Sequence, residues 1–339
     1  MSFKAMFLTG AAILAVGPAM ASSTLDKVRA AQVLTCGVIA VPEDWNKTDL
    51  HGPLGPLGVE ICKAVAVASL GAAAKVSLRV YAGELEAEQG LHRGETDLVV
   101  GVTPDATSMW HWRISFGPPV FYDGQGFLIR KDAPVTSVAD LAGAGVCVVE
   151  GTDNEKILLA RTVARGIAIY PMPFQEEGEM DDGMAVRHCD AVSAYVSKLA
   201  QLRAAYPKQL SGAVILPSLL TLSPAAPAYR QGDPQWGMIV DWTIHALVQA
   251  EASGVTQANV AQERLSEDPA VQRLLGVDWA TSRALELPAH DWAAQVIAVV
   301  GNYGEIYDRT VGSKSAMNLP RGMNALWTEG GLMHPLPVQ

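Results

Sequence analysis

One stretch, FYDGQGFLIR at residues 121–130, constrains the fold more than any other. An apolar run from Pro118 to Tyr122 meets the flexible Gly124-Gln125-Gly126. It then becomes the strand-like Phe127-Leu128-Ile129. The two halves of the chain on either side of this stretch are alike: each alternates helix and strand patterns, and each carries two cysteines. The stretch therefore reads as a crossover between two lobes, with a ligand cleft beside it. Taken alone, a glycine-flanked strand between apolar runs also fits an ordinary buried strand.

The first half predicts a helix over 23–32 with Thr24 as its cap, then strands over 33–39, 76–81 and 97–102. Helices over 59–70 and 84–93 separate the strands, and a Pro/Gly-rich loop with Trp45 covers 42–58. This β-α-β-α-β order implies a parallel sheet with helices on its faces, so ligands gather at the carboxyl ends of the strands. The segment 103–119 leaves the last of these strands as a loop and carries Trp110, His111, Trp112 and Arg113. The second half predicts strands over 145–149, 167–170, 189–193 and 214–217, with helices over 152–165, 175–187 and 195–204. Thr152 and Glu155 match a capping box, and Asp153 beside them would repel an anionic ligand group. Residues 219–230, with Pro224 and Pro227, look like a return crossing. A long amphipathic helix is expected over 236–251, two short helices within 255–287, and one further helix over 291–310. The tail 318–334, with Arg321, Asn324 and Trp327, reads as packing structure.

Lys4, the apolar run 5–17 and the small-x-small Ala19-Met20-Ala21 form a secretory signal peptide over 1–21. No later apolar run reaches the roughly 18 residues of a membrane span, so an exported, soluble protein is expected. The formal charge of −10 argues against nucleic acid or an anionic membrane as partner. The four cysteines, Cys36, Cys62, Cys147 and Cys189, suit an oxidising compartment and allow three connectivities. Pairing within each half, Cys36–Cys62 and Cys147–Cys189, leaves two lobes free to fold and move independently. No CxxC or HxxxH spacing suggests a metal. No G-x-S-x-G, Walker or H-E-x-x-H motif is present either, and the seven histidines show no base–nucleophile pairing. The missing chemistry favours binding over catalysis.

With these residues in view, the chain resembles the periplasmic solute-binding proteins of ABC importers, and most closely the group serving general and polar L-amino acid transporters. YDGQGFLIRK (122–131), RQGDPQW (230–236), GVTQANV (254–260), VVGNYGEIYDR (299–309) and RGMNALWTEGGL (321–332) carry the likeness, and all four cysteines fall where that group places its own. The resemblance implies an α/β, two-lobe periplasmic binding protein fold of type II. It has two crossover segments and a C-terminal helical extension. Its parts are lobe 1 over 22–122, a hinge at 123–130, lobe 2 over 131–218, a return crossover at 219–230, and completion of lobe 1 with the extension over 231–339. It further implies a monomer without cofactor or metal, a small-molecule solute as ligand and an inner-membrane ABC permease as partner.

The ligand site departs from the family pattern. The family's carboxylate-binding Arg corresponds to Ser108 or Met109, its second carboxylate contact to Thr152, and its ammonium-binding Asp to Tyr195. A G-F-D before the first-lobe helix is Pro56-Leu57-Gly58 here. The expected ligand contacts are Thr103, Ser108, Trp110, Arg113, Thr152 and Tyr195. Of these, Arg113 is a substitute clamp, and the aromatic rings favour a less charged ligand. Two other readings use the same scaffold. One is a non-transport adapter or sensor that binds a protein partner. The other is a small-molecule dehydratase, for which His111, Asp105 and Asp153 are the available acids and bases.

Overall fold

The computed structural model describes residues 23–40, 52–276, 283 and 285–338. The expected signal peptide and Trp45 lie outside them. Two sheets organise the chain. The first contains β1 (Val33–Ile39), β2 (Lys75–Tyr81), β3 (Leu98–Val102), β4 (Ile114–Phe116), β5 (Phe121–Asp123) and β11 (Ser223–Arg230). Its order is β2-β1-β3-β11-β4, with β5 paired to the start of β11. The second sheet contains β6 (Gln125–Ile129), β7 (Gly145–Val149), β8 (Tyr170–Phe174), β9 (Ala191–Tyr195) and β10 (Val214–Ile215), in the order β10-β6-β9-β7-β8. The chain thus changes sheets at Gly124 on the way out and between Ile215 and Ser223 on the way back. The fold is the two-lobe α/β architecture expected.

Gly124 is required where it stands. A Cβ there would lie 2.2 Å from the Thr221 carbonyl oxygen and 2.8 Å from Leu219 Cδ1. The outgoing and returning segments run side by side at that point. Leu220 N–H donates to the Gln125 carbonyl at 2.7 Å. Gln125 N–H donates to Thr221 Oγ1 at 3.0 Å.

In the first lobe, α1 (Thr24–Ala31), α2 (Gly55–Leu70) and α3 (Glu84–His92) accompany the strands. Ser23, not Thr24, caps α1, because its side chain accepts the Asp26 N–H from outside the first turn. Helix α2 begins before the expected 59: Pro56 occupies its first turn, where a missing N–H costs nothing. The loop expected over 103–119 contains α4 (Ala106–His111), capped by Asp105, and strand β4. Disulfide Cys36–Cys62 ties β1 to α2.

In the second lobe, α5 (Asp153–Ala164), α6 (Glu177–Ala185) and α7 (Val196–Ala205) flank the sheet. The strand expected over 167–170 falls at Tyr170–Phe174 instead. Pro171 and Pro173 read as breakers, but β8 is an edge strand, where a missing N–H can face away from the ladder. Cys147–Cys189 joins β7 to the residues leading into β9. Both disulfides therefore lie within their own lobe, as expected.

The C-terminal elements complete the first lobe: α8 (Pro234–Ala252), α9 (Val260–Glu263), α10 (Pro269–Leu274), α11 (Trp292–Val300) and α12 (Tyr303–Thr310). The single helix expected over 291–310 is two. Gly301 leaves the helical region at φ +74°, and Asn302 restarts the chain with a capping box to Glu305. One continuous core joins β1, α2, α8, α11 and α12, and fully buried Trp236 donates its indole N–H to the Asp97 carbonyl at 3.0 Å.

The tail clasps the crossing. Asn324 accepts the Tyr122 N–H at 2.6 Å and donates to its carbonyl at 3.1 Å. Tyr303 donates its hydroxyl to the Val120 carbonyl at 2.9 Å, and Phe121 stacks on Tyr307.

Candidate functional site

A recess of about 140 Å³ opens between the lobes beside the crossing. The first lobe contributes Leu54, Glu84 and Thr103, and the second contributes Tyr195 and Ser197. Asp123, at the crossing itself, closes it. Each polar side chain is set by a strand end or a helix start. Glu84 is the first residue of α3, and Thr103 follows β3 directly. Thr103 donates both its N–H and its hydroxyl to Glu84, each at 3.1 Å. Tyr195 ends β9 and stands at the N-cap of α7, where its side chain makes no capping bond.

Asp123 takes over that capping. It accepts the Ser197 N–H at 3.3 Å and the Gly124 N–H at 2.8 Å. The Ser197 hydroxyl donates to its other oxygen. A carboxylate from the crossing thus satisfies the start of a second-lobe helix, where the free N–H groups favour negative charge. Burial still pushes the Asp123 carboxyl up, against the lowering effect of these hydrogen bonds.

The first-lobe face of the recess is acidic. Burial raises the Glu84 carboxyl, Thr103's hydrogen bonds oppose the rise, and Asp105 adds to it. One turn further along α3, Glu88 is 4% exposed, accepts the Ser108 hydroxyl at 2.8 Å and is also raised by burial. Asp105 differs. Burial pushes it up, but the Ser108 and Thr107 hydrogen bonds at the start of α4 outweigh that and hold it low. Among the described residues, no Lys or Arg pairs with Glu84, Glu88 or Asp105, and the recess lining contains no cation. A site carrying two carboxylates and no positive side chain is arranged for a cationic group.

Of the six expected ligand contacts, the structure brings Thr103 and Tyr195 together in the recess. Ser108 is engaged with Glu88 and Asp105 behind it. Trp110 is 73% exposed, and the Arg113 guanidinium lies over its ring at 4.7 Å. Arg113 takes φ +53° and sends its carbonyl to the Gln231 N–H, so the pair stands apart from the recess lining. Thr152 caps α5: its hydroxyl donates to the Val149 carbonyl at 2.7 Å and accepts the Glu155 N–H at 3.3 Å. Asp153 is paired with Lys156 at 2.9 Å. His111 packs edge-on against Trp112 at 4.3 Å. Among the described residues, no group of three or more His, Cys, Asp or Glu side chains is placed to hold a metal ion.

Glu84, Asp123 and Ser197 were not among the expected contacts. One signal for Asp123 was available: a carboxylate embedded in the apolar crossing stretch, directly before an obligatory glycine. Glu84 follows a strand and opens a helix, which places it at a strand's carboxyl end.

Fold and recess together define a two-lobe solute-binding protein. No family model matches the chain. It is 37% identical over 340 residues to the general L-amino acid-binding periplasmic protein AapJ of Rhizobium johnstonii, covering 97% of both proteins. It is 35% identical over 344 residues to the glutamate/glutamine/aspartate/asparagine-binding protein BztA of Rhodobacter capsulatus, covering 99% of both. Among solved structures, an ABC transporter periplasmic binding protein from Brucella ovis with glutathione bound superposes with a TM-score of 0.77 at 32% identity, covering 94% of this chain and 100% of that one. The chain belongs to the periplasmic binding proteins of amino-acid ABC transporters. These relatives are binding proteins, and they lend the adapter or sensor reading no support.

Proposed function

We propose that the protein captures an amino acid or amino-acid-like solute in the interlobe recess, holds its ammonium against Glu84 and delivers it to an ABC permease. The observation that carries this reading is the recess itself: both lobes line it, and among the described residues its charged groups are carboxylates alone. The position implied for the family's ammonium-binding Asp is Tyr195. Glu84 supplies the missing charge from the opposite lobe, and the Tyr195 ring offers the cation a face. The recess is smaller than the roughly 300–1,000 Å³ of most ligand pockets, which suits an amine head while the rest of the solute lies between the lobes.

Lobe closure around the bound solute would form the state that the permease reads. The motion is assigned to the crossing segments 123–130 and 219–230, supported by the change of sheets at Gly124 and by the glycine's tight approach to Thr221. Export through a signal peptide over 1–21, a periplasmic location, a monomeric state and an absence of catalysis complete the reading. Support for export and location comes from the N-terminal pattern and from relatives named as periplasmic, and support for binding without catalysis from relatives named as binding proteins.

A thermal-shift panel of L-glutamate, L-glutamine, L-aspartate, L-asparagine, L-arginine and glutathione, each with its deaminated analogue, tests it. A true ligand at a hundred times its dissociation constant stabilises by about 2.7 kcal/mol. Midpoint shifts are expected with amine-bearing compounds and not with their analogues. Equal shifts from the deaminated compounds would overturn the assignment.

A further inference from the structure

A second, larger cavity of about 840 Å³ shares only Asp123 with the recess. The crossing strands, the returning segment 213–222, α7 and the tail segment 319–324 enclose it. Its volume lies within the range of small-molecule sites. Its walls are chiefly apolar, with Leu219, Leu220, Leu222, Leu319 and Met323 among them.

The charge of this cavity is opposite to that of the recess. Arg161, Arg203 and Arg321 line it, and Asp123 is its only carboxylate. Arg321 is already neutralised by Glu251 at 2.8 Å and packs over the Tyr303 and Tyr307 rings. Asp123 spends its oxygens on Gly124 and Ser197. Arg203 is half-buried and, among the described residues, donates to the Met317 and Asn318 carbonyls alone, at 2.8 and 3.3 Å. Arg161 has no hydrogen-bond or ion-pair partner among the described residues. Two guanidinium groups without carboxylates therefore border an apolar cavity. Arg203 is half-buried without a counter-charge, which is unfavourable, whereas Arg161 is exposed; an acid group arriving with its own apolar chain would meet the Arg203 charge and cover the apolar wall together.

We infer that this cavity is a second ligand site for an anionic amphiphile, with its carboxylate at the half-buried Arg203, the exposed Arg161 adding positive charge to the lining, and its alkyl chain along Leu219–Leu222 and Leu319–Met323. The inference is independent of the identity of the recess ligand. Isothermal titration of the purified protein with decanoate, 1-decanol and decylamine, each below its aggregation threshold, tests it. Saturable decanoate binding is expected, with 1-decanol at least tenfold weaker and decylamine without binding. Arg203→Ala should weaken decanoate about tenfold, as expected for loss of one charge-assisted contact, and the exposed Arg161→Ala by less. Arg161 makes no hydrogen bond or ion pair among the described residues, so its variant reads the charge of the lining even if Arg203→Ala loosens the tail. Decanol binding as tightly as decanoate, or both variants retaining full affinity, would overturn the proposal. So would co-sedimentation with phosphatidylglycerol vesicles in the absence of binding to free decanoate.

Discussion

The two lobes are built on similar sheets but are secured differently. The first lobe has a large core running from Leu25 to Val338, into which α8, α11, α12 and the tail pack, and a small separate cluster around Leu91 and Val99. The second divides its apolar residues into two separate clusters, one around Leu199 and Met184 and one around Phe127 and Leu158. The additional C-terminal elements thus reinforce one side of the hinge only. This sets a division of labour. In the function proposed above, the first lobe would carry the Glu84 carboxylate that selects a charge, and the second would bring Tyr195 and a helix start towards it. Asp123 ends the first-lobe strand β5 and binds Gly124 at the crossing and Ser197 at the start of the second-lobe helix α7.

Removing the disulfides should expose this asymmetry most strongly. In the chain-entropy picture, closing the 26-residue Cys36–Cys62 span and the 42-residue Cys147–Cys189 span contributes about 3.5 and about 4 kcal/mol. Serine replacement of each pair, followed by urea denaturation, should show losses of that order. Without Cys147–Cys189, amides of β7 and β9 should exchange with solvent well before those of β1 and β3. Simultaneous exchange in both sheets would mean that the lobes unfold as one unit and that the reinforcement is illusory.

Asp123→Ala comes next. It leaves the Gly124 and Ser197 N–H groups and the Ser197 hydroxyl without their acceptor, at a cost of about 1–3 kcal/mol by thermal unfolding. Asp123→Asn keeps one acceptor oxygen and should lose less. If alanine and asparagine behave alike, the cross-lobe cap is not what holds α7 to the crossing.

The smallest effect is one of pH, and it belongs to the first lobe. His245 on α8 accepts the Leu336 N–H at its Nδ1 at 3.2 Å, which requires the neutral ring. Burial first, and then His334, lower its pKa from 6.5 to about 4. The unfolded chain therefore takes up a proton near pH 6.5 while the folded one does not. Stability should fall as pH drops from about 6.5 towards 4. On the same helix, burial pushes Asp241 up to about 6, against the lowering Tyr229 hydrogen bond, so it acts in the opposite sense: its stabilising protonation is lost as pH rises from about 4 to about 6. His245→Gln should remove the acid-side loss and leave the Asp241 trend. A variant with unchanged slope in thermal melts between pH 4 and 6.5 would locate the titration elsewhere.

The scaffold was largely legible in the sequence because each lobe alternates apolar strand and amphipathic helix patterns, and the cysteines divide evenly about 121–130. What escaped was local chemistry that tertiary position overrides. Pro171 and Pro173 look like breakers until β8 is known to be an edge strand. Gly301-Asn302 disappears inside an apolar stripe that continues on both sides of it. At the candidate site, Thr103 is expected from the loop leaving a strand and Tyr195 from the position of the family's ammonium-binding Asp, and both line the recess. Arg113 is expected as a substitute for the family's altered carboxylate-binding Arg; in the structure its guanidinium lies over the Trp110 ring, outside the recess lining. Glu84 was overlooked because an acidic helix start is ordinary in sequence. Only the packing of β3 beside α3 brings it to Thr103 and across from Tyr195.

Calorimetric titration of the best amine-bearing ligand into wild type and Glu84→Gln at pH 7 tests the role of that carboxylate most directly. A charge-assisted contact of roughly 1.5–3 kcal/mol corresponds to about ten- to hundredfold in affinity. We expect a loss of that size, with Arg113→Ala indistinguishable from wild type. Full affinity in Glu84→Gln together with collapse in Arg113→Ala would contradict it and return the site to an arginine clamp.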